Sequence, residues 1–195
     1  MLGKAALAMW WDIAPDMQAE FEDWHSHEHM PERLSIPGFL RGSRWVSETS
    51  YFVLYELDSP ATLTGAAYLE RLNNPTPWSR KMMPHHRNMV RNLCEVRASF
   101  GRGVAQVLAR LELEVPAHAL SALPGRRGLT AAHLLESRST AGMAQTVEQK
   151  IRGADAEAKW IALIGGYDAD LVAAASREVA PGARAGLYRL SFCLT

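Results

Sequence analysis

Ala5-Ala6-Leu7-Ala8-Met9-Trp10-Trp11-Asp12-Ile13 puts Ala5, Leu7, Met9, Trp11 and Ile13 on one face of an extended chain, and Pro15-Asp16 then changes the element. Strict alternation of this kind reads as a strand. Residues 16–34 switch to a helical period: Met17, Phe21, Trp24 and Glu28 fall on one stripe, with acids early, where the helix dipole favours them. Pro31 is expected to tighten or end this helix. Pro37-Gly38 signals a turn, after which 39–46 and 51–57 read as the two strands of an antiparallel hairpin.

Ser59-Pro60 is read as the cap of a second helix carrying Leu63, Ala66, Ala67, Leu69 and Leu72; Asn73-Asn74-Pro75 stops it, and a Pro-containing loop is expected to follow. Residues 89–98 alternate again as a fourth strand. The first half therefore spells strand, helix, strand, strand, helix, strand. The second half repeats the order with strands at 104–113, 129–136, 159–164 and 185–194, a short helix near 117–123 and a longer one at 168–179. Residues 137–157, polar and rich in Ala and Gly, are expected to form a mobile loop, and 99–103 to join the halves. The predicted class is α+β, with a first unit at 1–100 and a second, degenerate unit at 101–195. A βαββαβ unit leaves one sheet face bare, so two units cover each other. The enclosed barrel, lined by alternate strand residues, is the expected place for a ligand.

Composition narrows the function. The 195 residues are 48% apolar, enough for a sizeable core. Twenty-one basic residues balance twenty-one acidic ones, which favours neither nucleic acid nor an anionic membrane as partner. A small-molecule substrate is the better default. Cys94 and Cys193 make no disulfide framework, no signal peptide is evident, and no stretch approaches the ~20 apolar residues of a membrane span. The expectation is a cytoplasmic protein, with a homodimer open.

Five of the seven histidines lie in the first half, in His25-Ser26-His27-Glu28-His29 and in Pro84-His85-His86-Arg87. One helical turn separates His25 from His29, a face extended by Glu32 and Arg33, whereas His27 points elsewhere. Imidazole titrates near neutrality, so a pair facing a cavity can take one proton and return another. His25, His29, His85 and His86 are the catalytic candidates. Arg33, Arg87 or Arg91 can hold a carboxylate bidentately, and Trp11, Trp24, Trp45 and Tyr55 can supply aromatic walls. A metal held by His25 and His29 with Glu32, His85 or His86 is the rival reading. Ser26 stands where the His-Glu-x-x-His motif needs its glutamate, so no metal is expected. His118 and His133 are read mainly as structural, Cys94 as a buried thiol, and Met82-Met83 as core that can also reach a pocket.

The run from Phe21 to Leu34, with Trp24, His29 five positions later and Pro31 two beyond, followed by Ile36-Pro37-Gly38-Phe39, resembles the first helix and turn of EthD-like proteins. That resemblance covers the first half. It implies a dimeric α+β barrel built of ferredoxin-like units, here fused in tandem, and small enzymes that mostly work without cofactor on aromatic or lactone-like substrates. The leading expectation is histidine acid–base catalysis on an aromatic or cyclic acid by a lyase, decarboxylase or isomerase. The alternatives are a carrier of an apolar metabolite or haem, and a cofactor-free monooxygenase.

Overall fold

The computed structural model describes residues 1–48, 50–138, 145–153 and 155–195. Eight strands carry the fold: β1 (Ala5–Asp12), β2 (Phe39–Ser47), β3 (Ser50–Leu57), β4 (Arg87–Gly101), β5 (Val107–Leu111), β6 (Leu129–Arg138), β7 (Trp160–Gly166) and β8 (Gly186–Leu194). They close into a barrel in the order β1-β3-β2-β8-β5-β7-β6-β4, all neighbours antiparallel. Within it, the first half has the order 4-1-3-2 and the second the same order, 8-5-7-6. The joins β2–β8 and β4–β6 are equivalent under exchange of the halves. Two ferredoxin-like βαββαβ units thus close one barrel within a single chain, as the element order predicts. Phe100 and Gly101, at the expected boundary, are still paired to Ala132 and Ala131 as the end of β4.

Alternation in each strand divides the side chains between two layers. Ala6, Ala8 and Trp10 point into the barrel, where they meet Trp45, Phe52 and Tyr188 and fill it. Leu7, Met9 and Trp11 point outward and pack beneath the first-half helices. A separate core under the second-half helices includes Leu111, Leu129 and Ile164. Large aromatic side chains thus fill much of the expected ligand cavity inside the barrel, leaving among the described residues a space of ≈ 320 Å³ bounded by Trp45, Leu54, Leu108 and Leu163.

The helices depart from the sequence expectation in four places. Helix α1 (Gln18–Trp24) continues through a π turn at His25–His29 into α2 (Met30–Leu34), so Pro31 does not end it. The N–H of Met30 bonds to the carbonyl of His25, five residues back, and the wider turn accommodates a proline that has no N–H to give. The second helix is two pieces, a 3-10 turn at Pro60–Thr64 and α3 (Ala66–Asn73), and Ser59 makes no side-chain cap. The expected loop after Pro75 contains α4 (Pro77–Met82), capped by Thr76, whose hydroxyl accepts from the Ser79 N–H.

Helices α5 (Ala117–Ser121) and α7 (Ala169–Val179) match their predictions, α7 with Asp168 as N-cap. Within the expected mobile loop lies α6 (Val147–Arg152), opened by a reciprocal Thr146–Gln149 capping box; residues 139–144 and 154 of that loop lie outside the described residues. A bidentate Arg152–Asp155 pair braces this segment internally, while a short parallel bridge from Ala156 to Val90 of β4 and the Val147 N–H, which donates to Asn73 Oδ1, pin it onto the first half. No helix among the described residues is long and apolar enough to cross a membrane.

Candidate active site

A cavity lies between the outer face of the first-half sheet and the helices above it, enclosing ≈ 540 Å³ of space between atoms, open to solvent included. Its floor is Leu7, Met9 and Trp11 of β1, flanked by Tyr55 of β3 and by Met89 and Arg91 of β4. Its roof is Trp24, His25, His29 and Arg33 of the broken helix, with Tyr68 of α3, Met83 and His86 at the sides. Thr146, Glu148, Gln149 and Arg152 close one end from the second half.

Of the side chains singled out in the sequence, His25, His29, His86, Trp11, Trp24, Tyr55, Arg33 and Arg91 meet here. Four do not. Trp45 points into the barrel because its register on β2 is the inward one, and its indole N–H donates to Ala105 O at 3.0 Å. Arg87, at the start of β4, is exposed, and His85 sits on the last 3-10 turn before it, on the side of Glu20. Glu32 faces Arg33 and Arg71 outside the lining. His27 is exposed, as expected; of the two histidines read as structural, His118 is exposed, while His133 is buried and its Nδ1 lies 2.9 Å from Ser99 Oγ. Cys94 is buried in the barrel, which pushes its thiol up to about 12.

Tyr68, Leu72 and the α6 residues escaped the sequence reading as parts of the site. Tyr68 and Leu72 share the buried stripe of α3, while Ala66 and Ala67, which the pattern favoured, are exposed. The signal for α6 was present in Thr146-Val147-Glu148-Gln149, a capping-box spelling.

The π turn supplies the geometry. His25 and His29 have ring centroids 5.6 Å apart, and His29 lies 4.5 Å from the Trp24 ring. Trp11 contacts His86 at 4.9 Å from below. Trp24 is fixed in turn by its N–H, which donates to Glu28 and to Ser79 Oγ, each at 3.2 Å, while Thr76 and Ser79 hydroxyls also donate to Glu28. The turn that carries the histidines is thereby clamped to α4.

Among the described residues neither ring nitrogen of His25 has a hydrogen-bond partner, nor do His29 Nδ1, Trp11 Nε1 and the Tyr55 hydroxyl, although all these atoms are buried. Buried polar atoms are normally satisfied, so such a concentration in one cavity marks a place prepared for another molecule. Burial drives the His25 and His29 pKa values well below the ordinary range, with Arg44 and His86 adding to the effect on His25 and Arg33 and His25 on His29. His86 falls to about 3, through burial and then Arg152. His86 Nδ1 lies 3.1 Å from Met83 O, which only accepts, so Nδ1 carries the proton and Nε2 keeps its lone pair. Arg33 stays charged: burial is the largest single influence and lowers its pKa, but Glu148, which accepts from Nη2, together with Tyr68 and Glu32 raises it above the ordinary value.

At neutral pH the cavity thus holds three uncharged imidazoles among aromatic walls. Burial that keeps them neutral also makes them weak bases, so proton transfer from a substrate to His25 or His29 depends on the substrate anion formed beside the imidazolium, an ion pair that the low-dielectric surroundings strengthen. Of the third ligands the metal alternative offers, Glu32 and His85 lie outside the cavity and His86 lies within it, and no group of three His, Cys, Asp or Glu among the described residues is placed to hold an ion.

No family model and no curated protein matches the sequence. Solved structures do match the fold. A protein described as anthrone oxidase-like shares 10% identity at a TM-score of 0.63, over 98% of this chain and 92% of its own. A candidate monooxygenase from Fusobacterium nucleatum shares 10% identity at 0.59, over 99% and 95%. Another, from Lactobacillus acidophilus, shares 10% at 0.52, over 98% and 96%. At such identity the likeness is one of fold: an eight-stranded antiparallel barrel, here closed by the two halves of one chain.

Proposed function

We propose that this chain is an EthD-like, cofactor-independent monooxygenase of activated aromatic compounds of the anthrone type. The observation that carries the reading is the pair of neutral, unpartnered imidazoles, His25 and His29, over an aromatic-walled cavity outside the barrel. The Trp24–His29–Pro31 spelling supports the EthD-like part. The names borne by the structural neighbours favour oxygenation over the lyase, decarboxylase or isomerase expected first.

In this reading a methylene acidified by flanking rings gives a proton to His25 or His29. The carbanion passes one electron to dioxygen, the radical pair combines to a peroxide, and loss of water leaves a carbonyl. The step balances: one methylene and one dioxygen are consumed, and one carbonyl and one water are formed. Trp24 and Trp11 hold the ring system, and the apolar floor keeps bulk water from the carbanion. The reaction needs only the substrate's own electrons, which fits a cytoplasmic protein with both cysteines free. The barrel is already closed by one chain, so a homodimer, which belongs to the proposal, would use an outer surface.

The test is oxygen uptake together with quinone formation on adding an anthrone, before and after dialysis against a chelator. Equal amounts of dioxygen consumed and quinone formed, unchanged by the chelator, are expected. Turnover without oxygen uptake would return the acid–base lyase or isomerase, and binding without turnover the carrier.

A further inference from the structure

Four arginines stand in or beside the cavity, and their partners separate them. Arg33 is committed to Glu148 and Glu32, and Arg152 is held by both carboxylate oxygens of Asp155, at 3.0 and 2.6 Å. Arg87 is exposed outside the lining. Arg91 differs from all three. It is only 8% exposed, its guanidinium lines the cavity, and its one side-chain partner is the neutral Tyr68 hydroxyl, to which Nη2 donates at 2.8 Å. It forms no ion pair among the described residues, and residues 49, 139–144 and 154 contain no Asp or Glu.

A buried guanidinium without a counter-charge is costly, and an anion supplied by a ligand relieves that cost. We infer that the cavity selects an aromatic substrate bearing an anionic oxygen substituent, a carboxylate or a phenolate, held by Arg91 with Tyr68 beside it. Register places the group relative to the chemistry. Arg91 pairs with Met9, and Trp11, which packs against His25 and His86, lies two residues further on, about 7 Å along β1 at ~3.3 Å per residue. The anionic substituent therefore sits roughly one ring away from the carbon that loses its proton. This deepens the proposed activity and rests on it only for the kind of ring system.

The test reads binding alone, so it stands apart from turnover. Quenching of tryptophan fluorescence by anthraquinone-2-carboxylate is compared with quenching by the matching carboxamide. The wild-type protein is expected to bind the carboxylate ~10-fold or more tightly than the amide. Arg91→Met removes that preference, while Arg91→Lys keeps the charge, loses the two-pronged contact and retains part of it. Equal binding of the two probes by the wild-type protein overturns the inference even if Arg91→Met fails to fold. A preference that survives in Arg91→Met and disappears in Arg152→Met overturns it as well, because Arg152 then holds the anion. Should the preference hold while anthrone gives no oxygen uptake, the anion site stands and the oxygenase reading falls.

Discussion

Trp24 and His29 lie with ring centroids 4.5 Å apart at an interplanar angle of 33°, although they are five residues apart in sequence. On an α-helix that spacing would turn them about 140° away from each other. The π turn at His25–His29 brings them together, and Pro31 stands just beyond it. The aromatic, histidine and proline of the motif are thus one device: the proline cannot donate to the carbonyl four residues back, and the widened turn stacks the other two. Pro31→Ala restores the missing N–H and with it the α register. The variant is expected to stay folded, with a thermal midpoint at least equal to the parent's, and to lose ~10-fold or more in kcat/KM. An unchanged kcat/KM would mean that the stacking does not position His29.

His25 and His29 are expected to act as the bases, so His25→Ala and His29→Ala should each lower kcat by roughly 10²-fold with folding intact. His27→Ala and His85→Ala supply the contrast, because His27 is exposed and His85 lies outside the cavity lining. Equal losses in all four variants would point to a general loss of structure rather than to base catalysis. Circular dichroism of each variant checks the folding.

The periods of two and 3.6 made the order of elements along the chain legible, and with it the barrel, because each half has to cover a bare sheet face. Periodicity could not say which face of β1 meets the barrel and which the helices. Ala6, Ala8 and Trp10 are as apolar as Leu7, Met9 and Trp11, since both sides of this sheet are buried. That ambiguity is why Trp45 was grouped with Trp11. The histidine pair was read from one-turn spacing, but its stacking on Trp24 depends on a π turn that helical periodicity does not encode. Glu148 and Arg152 reach the site from the other half, more than a hundred residues from Arg33, a proximity that only the closed barrel creates.

Stability should fall on the acid side of neutrality. His25, His29, His86 and His133 all have folded-state pKa values below the 6.5 of a free histidine, His86 and His133 at about 3. Between those limits the unfolded chain binds more protons than the folded one, so stability is full above pH ~6.5 and is lost as pH falls toward ~3. Each such histidine contributes roughly 1.4 kcal/mol per pH unit inside that window. Thermal midpoints are expected to be level from pH 7 to 8 and to drop steeply below 6, and His133→Asn should flatten the drop. A midpoint independent of pH down to 4 would refute the neutral, buried state of these rings.

Glu148→Ala leaves the buried Arg33 guanidinium with only the longer 3.4 Å contact to Glu32, which is expected to cost roughly 3 kcal/mol, read as a shift in the urea midpoint. Arg33→Met in the same chain should recover much of the loss, because it removes the stranded charge. If Glu148→Ala proves neutral, the pair does not hold α6 over the cavity.

Trp45 and Trp11 separate the two places in which a ligand can sit. Trp45 fills the barrel interior and donates to Ala105 O, so Trp45→Phe opens a small void, strands a carbonyl and should cost roughly 2 kcal/mol. It lies outside the cavity lining, and the affinity for anthraquinone-2-carboxylate is expected to stay within twofold of the parent's. Trp11 is the aromatic floor under His25 and His86, and its indole N–H is unpartnered. Trp11→Phe removes that donor and part of the stacking surface without stranding an acceptor. It is therefore expected to weaken the probe several-fold with little change in stability, and to abolish much of the fluorescence quenching. The opposite pattern, affinity lost with Trp45 and kept with Trp11, would move the ligand back inside the barrel.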